Sequence, residues 1–296
     1  MSDHETVLIT GASSGIGRET ALCYARRGAR VVLVSRSRDA LEKTAAECAE
    51  AGAVDTLVAV TDVGDREQVQ RAFDEAIARF AGVDVVVSSA GVVAYGLFTE
   101  VPPEVFDGVV QTNVLGNANV ARVALRHFRD RARGSLVLVG SILGKATAPY
   151  MSAYVVSKFA VTGLARVLRQ EMRDVPGVRV HGVFPGGVNT PIYDQAANYL
   201  GTAGRPPPPV DDPGRVAAAI LRVVDERGGD VSPGLGNPLI LAGFRLLPAV
   251  YDLLVGPLMR LISLSGDPVE QSPGNVLAPK PAGEASRGPH GRFARS

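Results

Sequence analysis

A doubly wound α/β fold, a parallel sheet with helices on both faces, is predicted by the order of segments along the chain. Six short apolar runs alternate with longer amphipathic segments, which is the pattern of repeated strand–helix units. The runs show little alternation of apolar and polar side chains, as expected of strands buried on both faces. Because crossovers are right-handed, the carboxyl ends of the strands share one edge, where we expect a ligand crevice. The predicted strands are residues 6–10, 31–35, 56–60, 84–88, 135–140 and 178–184.

The composition is that of a globular protein without a strong overall charge. Of the 296 residues, 46% are hydrophobic, and 31 basic residues nearly balance 30 acidic ones, so no field favours nucleic acid. Cys23 and Cys48 lack metal-ligand spacing, and we expect buried thiols and no metal site. The N-terminus has no signal-peptide pattern, and no uncharged apolar stretch of about 18 residues predicts a membrane span. We therefore expect a cytoplasmic protein.

A glycine-rich turn follows the first predicted strand. Residues 10–17 read TGASSGIG, and a helix is expected to begin at once. Glycine at positions 11, 15 and 17 lets the backbone turn tightly and approach a pyrophosphate, while the helix N-terminus offers unpaired amide donors. The position between a first strand and a first helix favours dinucleotide binding over a plain structural turn.

The pattern TGxxxGxG in this place resembles the short-chain dehydrogenase/reductase family, in its single-domain branch. Asn113, Ser141, Tyr154 and Lys158 follow in the order and spacing of that family, and the resemblance covers roughly residues 5–192. It implies a single Rossmann-type domain and an oxidoreductase. Such an enzyme moves a hydride between a nicotinamide and a carbonyl or a secondary alcohol.

The residue types of this group suit proton transfer to a carbonyl oxygen. Tyr154 and Lys158 are four residues apart and therefore share one face of a helix. A phenol has an ordinary pKa near 10, and we expect the Lys158 ammonium and an oxidised nicotinamide to lower it. Ser141 is expected to donate a hydrogen bond to the substrate oxygen. The resemblance implies that Lys158 also holds the nicotinamide ribose and that Asn113 holds a water of a proton relay.

The end of the second predicted strand bears on the choice of cofactor. An NAD-preferring site usually has an acid there, which accepts hydrogen bonds from the adenosine ribose. This chain has Ser35 followed by Arg36, a hydroxyl and a guanidinium that suit a 2′-phosphate. We expect NADP(H), with NAD(H) as the alternative.

The resemblance implies further cofactor contacts at the ends of the other strands. Ser88 and Ser89 replace the asparagine pair of the family, so the bonds of those asparagines must be remade or lost. The expected cofactor-binding set is Gly11, Ser13, Ser14, Gly15, Ile16, Gly17, Ser35, Arg36, Asp62, Val63, Ser89, Ala90, Gly91, Tyr154, Lys158, Pro185, Gly186, Val188 and Thr190.

The substrate pocket is predicted to be apolar. Tyr95, Ile192 and Tyr193 are the candidate substrate residues, and no obvious anion clamp accompanies them. Hydrophobic ketones, acyl chains, and steroid-like or polyketide-like rings all fit this expectation. An NAD-dependent alcohol dehydrogenase is the rival enzyme. A non-catalytic nucleotide-sensing or scaffold protein is disfavoured by the intact Ser141, Tyr154 and Lys158.

Three regions are predicted along the chain. Residues 1–232 form the Rossmann-type domain, residues 233–265 an apolar helical extension, and residues 266–296 a disordered tail rich in Pro, Gly and Ser. The extension is predicted to form two short helices, 239–255 and 257–264. Packing over the substrate cleft or a partner subunit and peripheral contact with a membrane both remain open for it. We expect a homo-oligomer.

Overall fold

A parallel sheet of six strands lies at the centre of the computed structural model, which describes residues 4–264, 267–280 and 283–290. The strands are β1 (Thr6–Thr10), β2 (Arg30–Ser35), β3 (Asp55–Val60), β4 (Val85–Ser88), β5 (Ala94–Tyr95), β6 (Gly134–Val139), β7 (Val178–Val183) and β8 (Ala197–Asn198). The α-helices are α1 (Gly15–Ala25), α2 (Arg38–Ala51), α3 (Arg66–Phe80), α4 (Pro103–Val110), α5 (Asn117–Arg131), α6 (Ser152–Glu171), α7 (Pro213–Asp225), α8 (Asn237–Leu246) and α9 (Pro248–Ile262).

The strand order confirms the predicted doubly wound fold. Across the main sheet the order is β3-β2-β1-β4-β6-β7, and every neighbouring pair is parallel. All six strands lie within one residue of the predicted runs. The chain winds outward from β1 in one direction and from β4 in the other, so a crevice opens between the carboxyl ends of these two strands. The short strands β5 and β8 form a separate parallel pair.

Helices cover both faces of the main sheet, which explains why its strands are almost purely apolar. On one face, Leu8 of β1 belongs to the same buried cluster as Phe73 of α3 and Phe128 of α5. On the other face, Ile9 of β1 clusters with Ile220 of α7. Each of these side chains is at most 1% exposed. Burial of each one therefore stabilises the fold by about 1.5–3 kcal/mol.

Side-chain caps fix where two of the covering helices begin. The Asp65 carboxylate accepts hydrogen bonds from the backbone amides of Glu67 and Gln68, at 2.9 and 3.1 Å, and so starts α3. The Asp212 carboxylate accepts from the amide of Gly214 at 2.8 Å at the start of α7. A proline directly after Asp212 occupies the first turn of α7, where its missing N–H leaves no bond unmade.

The apolar extension contains two helices, but the break between them differs from the predicted one. The helices are α8 and α9, which meet at Leu247 rather than at Pro257. Pro248 lies in the first turn of α9, where a proline is favourable, so the new helix starts there. Pro257 is accommodated inside α9. A membrane span needs a length and an apolar character that none of the helices in the described ranges combines.

The tail that was expected to be disordered packs against the domain over much of its length. Ser272 and Asn198 exchange two backbone hydrogen bonds, and the amide of Gly288 donates to the carbonyl of Asn189 at 3.2 Å. Residues 267–280 and 283–290 are thus positioned by bonds to the domain and not by a periodic pattern of their own. The rest of the predicted tail, residues 266, 281–282 and 291–296, lies outside the described residues.

Candidate active site

The glycine-rich turn after β1 needs its glycines for two separate reasons. Gly11 and Gly15 have φ angles of +69° and +52°, in the left-handed region that disfavours side chains. Gly17 needs space instead, since a Cβ atom there would lie 2.2 Å from the carbonyl oxygen of Gly11. The turn therefore packs tightly under the N-terminus of α1, whose amides face the crevice.

Ser141, Tyr154 and Lys158 meet at the carboxyl edge of the sheet. Ser141 directly follows Gly140 at the end of β6, and its hydroxyl oxygen accepts a hydrogen bond from the amide of Leu143 at 3.1 Å. Tyr154 and Lys158 lie one turn apart on α6, with the lysine Nζ 5.4 Å from the centre of the tyrosine ring. The same Nζ donates to the carbonyl of Val139 at 3.1 Å. Ser141, Tyr154 and Lys158 therefore line one cleft, whereas the fourth predicted catalytic residue, Asn113, is buried behind it.

Burial sets the protonation states of the tyrosine and the lysine. Burial raises the pKa of Tyr154 to about 12, although the Ser141 hydroxyl opposes this shift. Burial also lowers the pKa of Lys158 to about 8. Desolvation, and not the expected influence of the Lys158 ammonium, therefore determines the pKa of this phenol in the described chain. At neutral pH the described chain holds a proton on Tyr154, which suits proton donation.

Asn113 lies in a π-helical turn, Gln111–Gly116, between α4 and α5. Its carboxamide oxygen accepts from the amide of Val92 at 2.8 Å. Its carboxamide nitrogen donates to the carbonyl of Val92 and to the hydroxyl of Ser157, both at 2.9 Å. The side chain therefore ties the loop after β4 to α6 next to Lys158, and a role in a proton relay stays a prediction.

The expected cofactor residues surround one cleft, which lies at the crevice between the carboxyl ends of β1 and β4. Every member of the expected set lines it except Gly17, which lies against Gly11. Ser35 and Arg36 stand at the end of β2 on the rim of this cleft, with no acid at either position. A surface of hydroxyls, backbone amides and one guanidinium is suited to a ligand that carries phosphates.

Some residues of this cleft escaped the sequence prediction. The hydroxyl oxygen of Thr10 accepts from the amides of Ser89 and Ala90, at 3.1 and 3.2 Å, and so ties β1 to the end of β4. These hydrogen bonds stabilise the end of β4, where this chain lacks the asparagine pair of the resembled family. A threonine at the end of a strand is common, so nothing in the sequence marks this contact. Thr10 does not itself line the cleft, and the unpredicted residues that do are Thr61, Val92, Thr112, Val139, Gly140, Gln195, Asn275, Pro279, Lys280 and Glu284.

An apolar cavity of about 450 Å³ adjoins the cofactor cleft. Ser141 and Tyr154 line both spaces, and the predicted substrate residues Tyr95, Ile192 and Tyr193 all line the apolar one. Helices α8 and α9 cover the far side of this cavity, chiefly with Leu, Ile, Val and Met side chains. The arrangement places a phenol and a hydroxyl where a phosphate-binding cleft meets an apolar chamber.

Comparison with known proteins identifies the family of this fold and site. Residues 5–199 match the family model described as short chain dehydrogenase. The chain belongs to that family. It is therefore an oxidoreductase, and the predicted resemblance is confirmed. The match ends at residue 199, so α7, α8, α9 and the tail lie outside it.

One relative and two solved structures illustrate the range of the family. The tetrahydroxynaphthalene reductase of Pyricularia oryzae is 38% identical over 191 residues, which cover 64% of this chain and 66% of that protein. A short chain dehydrogenase from Mycobacterium paratuberculosis bound to NAD has a TM-score of 0.70 and 27% identity, covering 79% of this chain and 97% of that one. An alcohol dehydrogenase from Thermococcus sibiricus complexed with 5-hydroxy-NADP has a TM-score of 0.68 and 28% identity, covering 78% and 96%.

Proposed function

We propose that this oxidoreductase reduces the carbonyl group of an apolar substrate with NADPH as the hydride donor. The observation that carries the proposal is the position of Tyr154 and Ser141 at the junction of two spaces. One space is lined by the glycine-rich turn at residues 10–17, hereafter the phosphate loop. The other is the apolar cavity under α8 and α9. A substrate oxygen held at this junction lies within reach of both hydroxyl groups.

The chain's own residues supply the proton and hold the oxygen. The Ser141 oxygen accepts a hydrogen bond from the amide of Leu143, and its O–H donates to the substrate oxygen when a substrate is bound. Tyr154 then donates its proton to the same oxygen as negative charge develops there. The Lys158 ammonium stabilises the phenolate that remains. A bound nicotinamide supplies the hydride.

Two observations support NADPH over NADH. The end of β2 carries Ser35 and Arg36 and no acid, so nothing there repels a 2′-phosphate. A guanidinium also binds phosphate oxygens in a forked geometry. The two solved relatives hold NAD and 5-hydroxy-NADP, which makes an NAD-dependent alcohol dehydrogenase the alternative. Titration of the protein's fluorescence with each nucleotide separates the two.

The cavity supports a hydrophobic ketone as the substrate. Its lining is largely apolar, and its volume of about 450 Å³ lies within the range of roughly 300–1,000 Å³ for small-molecule sites. The name of the Pyricularia relative points to a hydroxylated naphthalene ring, which makes polyketide-like ketones the first class to screen.

Replacing Tyr154 tests this function. Tyr154→Phe removes the proton donor and is expected to lower ketone reduction by at least about 100-fold, the usual share of acid catalysis. Oxidation of NADPH is followed by its absorbance over a panel of apolar ketones. Tyr150→Phe is the matched control, because its hydroxyl bonds to Arg260 and not to the site. Full turnover by Tyr154→Phe would show that another group supplies the proton.

The outer face of α8 and α9 supports a narrower proposal, contact with a second copy of the chain. Leu246, Leu253 and Leu261 are 70–76% exposed there. A membrane-lying helix usually carries many basic residues beside its apolar face. These two helices carry only Arg245 and Arg260, and Arg260 is bonded to Tyr150. Analytical ultracentrifugation should show a dimer that Leu246→Ser with Leu253→Ser weakens, whereas cosedimentation with liposomes would favour a membrane instead.

A further inference from the structure

The C-terminal segment, residues 275–280 and 283–290, returns to the cofactor cleft after α9. Asn275, Lys280 and Glu284 line the same space as the phosphate loop and Tyr154. Under the proposed function, on which this inference rests, a dinucleotide occupies that space. The segment and the cofactor therefore meet the same surface of the domain.

Two donors of the phosphate loop are bound to this segment. The hydroxyl of Ser13 donates to the carboxylate of Glu284 at 3.2 Å. The backbone amide of Gly15, at the first residue of α1, donates to the carbonyl of Ala285 at 2.9 Å. A helix N-terminus of this kind binds anionic phosphate oxygens. A carboxylate and a carbonyl oxygen thus take positions that suit the oxygens of a pyrophosphate.

Arg36, the expected ligand of the 2′-phosphate, is also bound to the segment. Its guanidinium donates to the carbonyl of Asn275 at 2.6 Å and to the carbonyl of Val276 at 3.4 Å. The contacts of the segment thus coincide with both ends of the expected phosphate-binding surface, the glycine-rich turn and the end of β2.

The docked segment is held by contacts that can be released. Arg287 pairs with Asp212 at 2.6 Å, but both side chains are about half exposed, so the pair contributes little. Burial raises the pKa of Glu284. Hydrogen bonds from the Ser13 and Ser37 side chains oppose this shift without cancelling it. Desolvation of the carboxylate therefore destabilises the docked state.

The space left beside the docked segment is too small for a dinucleotide. The cavity there is about 170 Å³, whereas sites for drug-sized ligands span roughly 300–1,000 Å³. We propose that the C-terminal segment is an intramolecular competitor of the cofactor, with Glu284 standing in for a phosphate. The cofactor binds only when the segment leaves, so the apparent dissociation constant equals the intrinsic one divided by the fraction of open molecules.

Two changes to the segment test the competition through NADPH affinity. Glu284→Ala removes the carboxylate, and a chain that ends at Lys280 removes Glu284, Ala285 and Arg287 together. Either change is expected to lower the dissociation constant for NADPH about threefold to tenfold. Glu270→Ala, an exposed acid in the same tail, should change it by less than about twofold. Binding is measured by fluorescence titration of the full chain and each variant.

Limited proteolysis reports the position of the segment independently of any charge effect on affinity. Trypsin cleaves after Arg287, which is tied to Asp212 in the docked state. Saturating NADPH is expected to accelerate this cleavage in the full chain, followed by intact-mass spectrometry. Cleavage that NADPH slows or leaves unchanged would overturn the inference.

The outcomes separate this inference from the proposed function. If the full chain binds NADPH and both altered chains bind it equally well or more weakly, the segment does not compete with the cofactor. The proposed function would then still stand. Failure of the full and truncated chains to bind either NADPH or NADH would overturn both. Tighter binding by Glu284→Ala and by the truncated chain, with faster cleavage after Arg287, supports the competition.

Discussion

Ketone reduction is expected to weaken above pH 8, because Lys158 then loses its charge. Burial lowers the pKa of this lysine to about 8. About nine tenths of the molecules therefore carry the ammonium at pH 7, about half at pH 8 and about one tenth at pH 9. Because kcat/KM reports groups of the free protein, we expect kcat/KM for NADPH to fall about fivefold between pH 8 and pH 9, and about tenfold per unit beyond.

The tyrosine adds no second decline in this range. Burial raises the pKa of Tyr154 to about 12, so the phenol keeps the proton that it donates. Initial rates of NADPH oxidation with an apolar ketone, between pH 6 and pH 10 at constant ionic strength, give the profile. The Lys158→Arg variant keeps its positive charge between pH 6 and pH 10. The kcat/KM that it retains should therefore not change with pH. A wild-type kcat/KM that stays level or rises from pH 7 to pH 9 would refute this assignment of charge.

Three further predictions concern cofactor choice, the phosphate loop and helix capping. Arg36→Glu should weaken NADPH binding at least about tenfold relative to NADH binding, because a carboxylate repels the 2′-phosphate; an unchanged ratio in fluorescence titrations would contradict the choice of NADPH. Gly17→Ala should lower the free energy of unfolding in urea by about 1–3 kcal/mol, since its Cβ atom would lie 2.2 Å from a backbone oxygen. Gly163→Ala, on an open side of α6, is its control and should cause no loss. Asp65→Ala should lower the urea concentration at the unfolding midpoint, and an unchanged midpoint would mean that its bonds to Glu67 and Gln68 are absent in solution.

The strands and the grouping of Ser141, Tyr154 and Lys158 were predictable because local sequence encodes both. A strand buried on two faces needs an uninterrupted apolar run, and the runs around Leu8 and Val137 show it directly. Tyr154 and Lys158 need only one helical turn between them to share a face. The meeting of Ser141 with this pair follows from its place at the carboxyl end of β6, once the sheet is known to be parallel.

Contacts between residues that are far apart in the chain leave no recognisable pattern in the amino-acid sequence. Arg36 bonds to the backbone carbonyl of Val276, 240 residues away, and a carbonyl oxygen is common to every residue type. The sequence predicts the break between the two helices at Pro257, whereas α8 and α9 meet at Leu247. Proline is accepted in the first turn of a helix and, at a cost in stability, in a helix interior, so its presence alone does not locate the break. The raised pKa of Tyr154 depends on burial, which only the assembled fold determines.

The hydrogen bond from Lys158 to the carbonyl of Val139 has a consequence for heating. It joins α6, which carries the tyrosine, to the strand that leads to Ser141, and both elements contribute side chains to the same buried cluster. Regions of this kind unfold only when the whole domain unfolds, whereas local unfolding of peripheral segments requires less free energy. Thermal loss of activity should therefore coincide with the cooperative melting of the sheet, even where the C-terminal segment has already detached at a lower temperature.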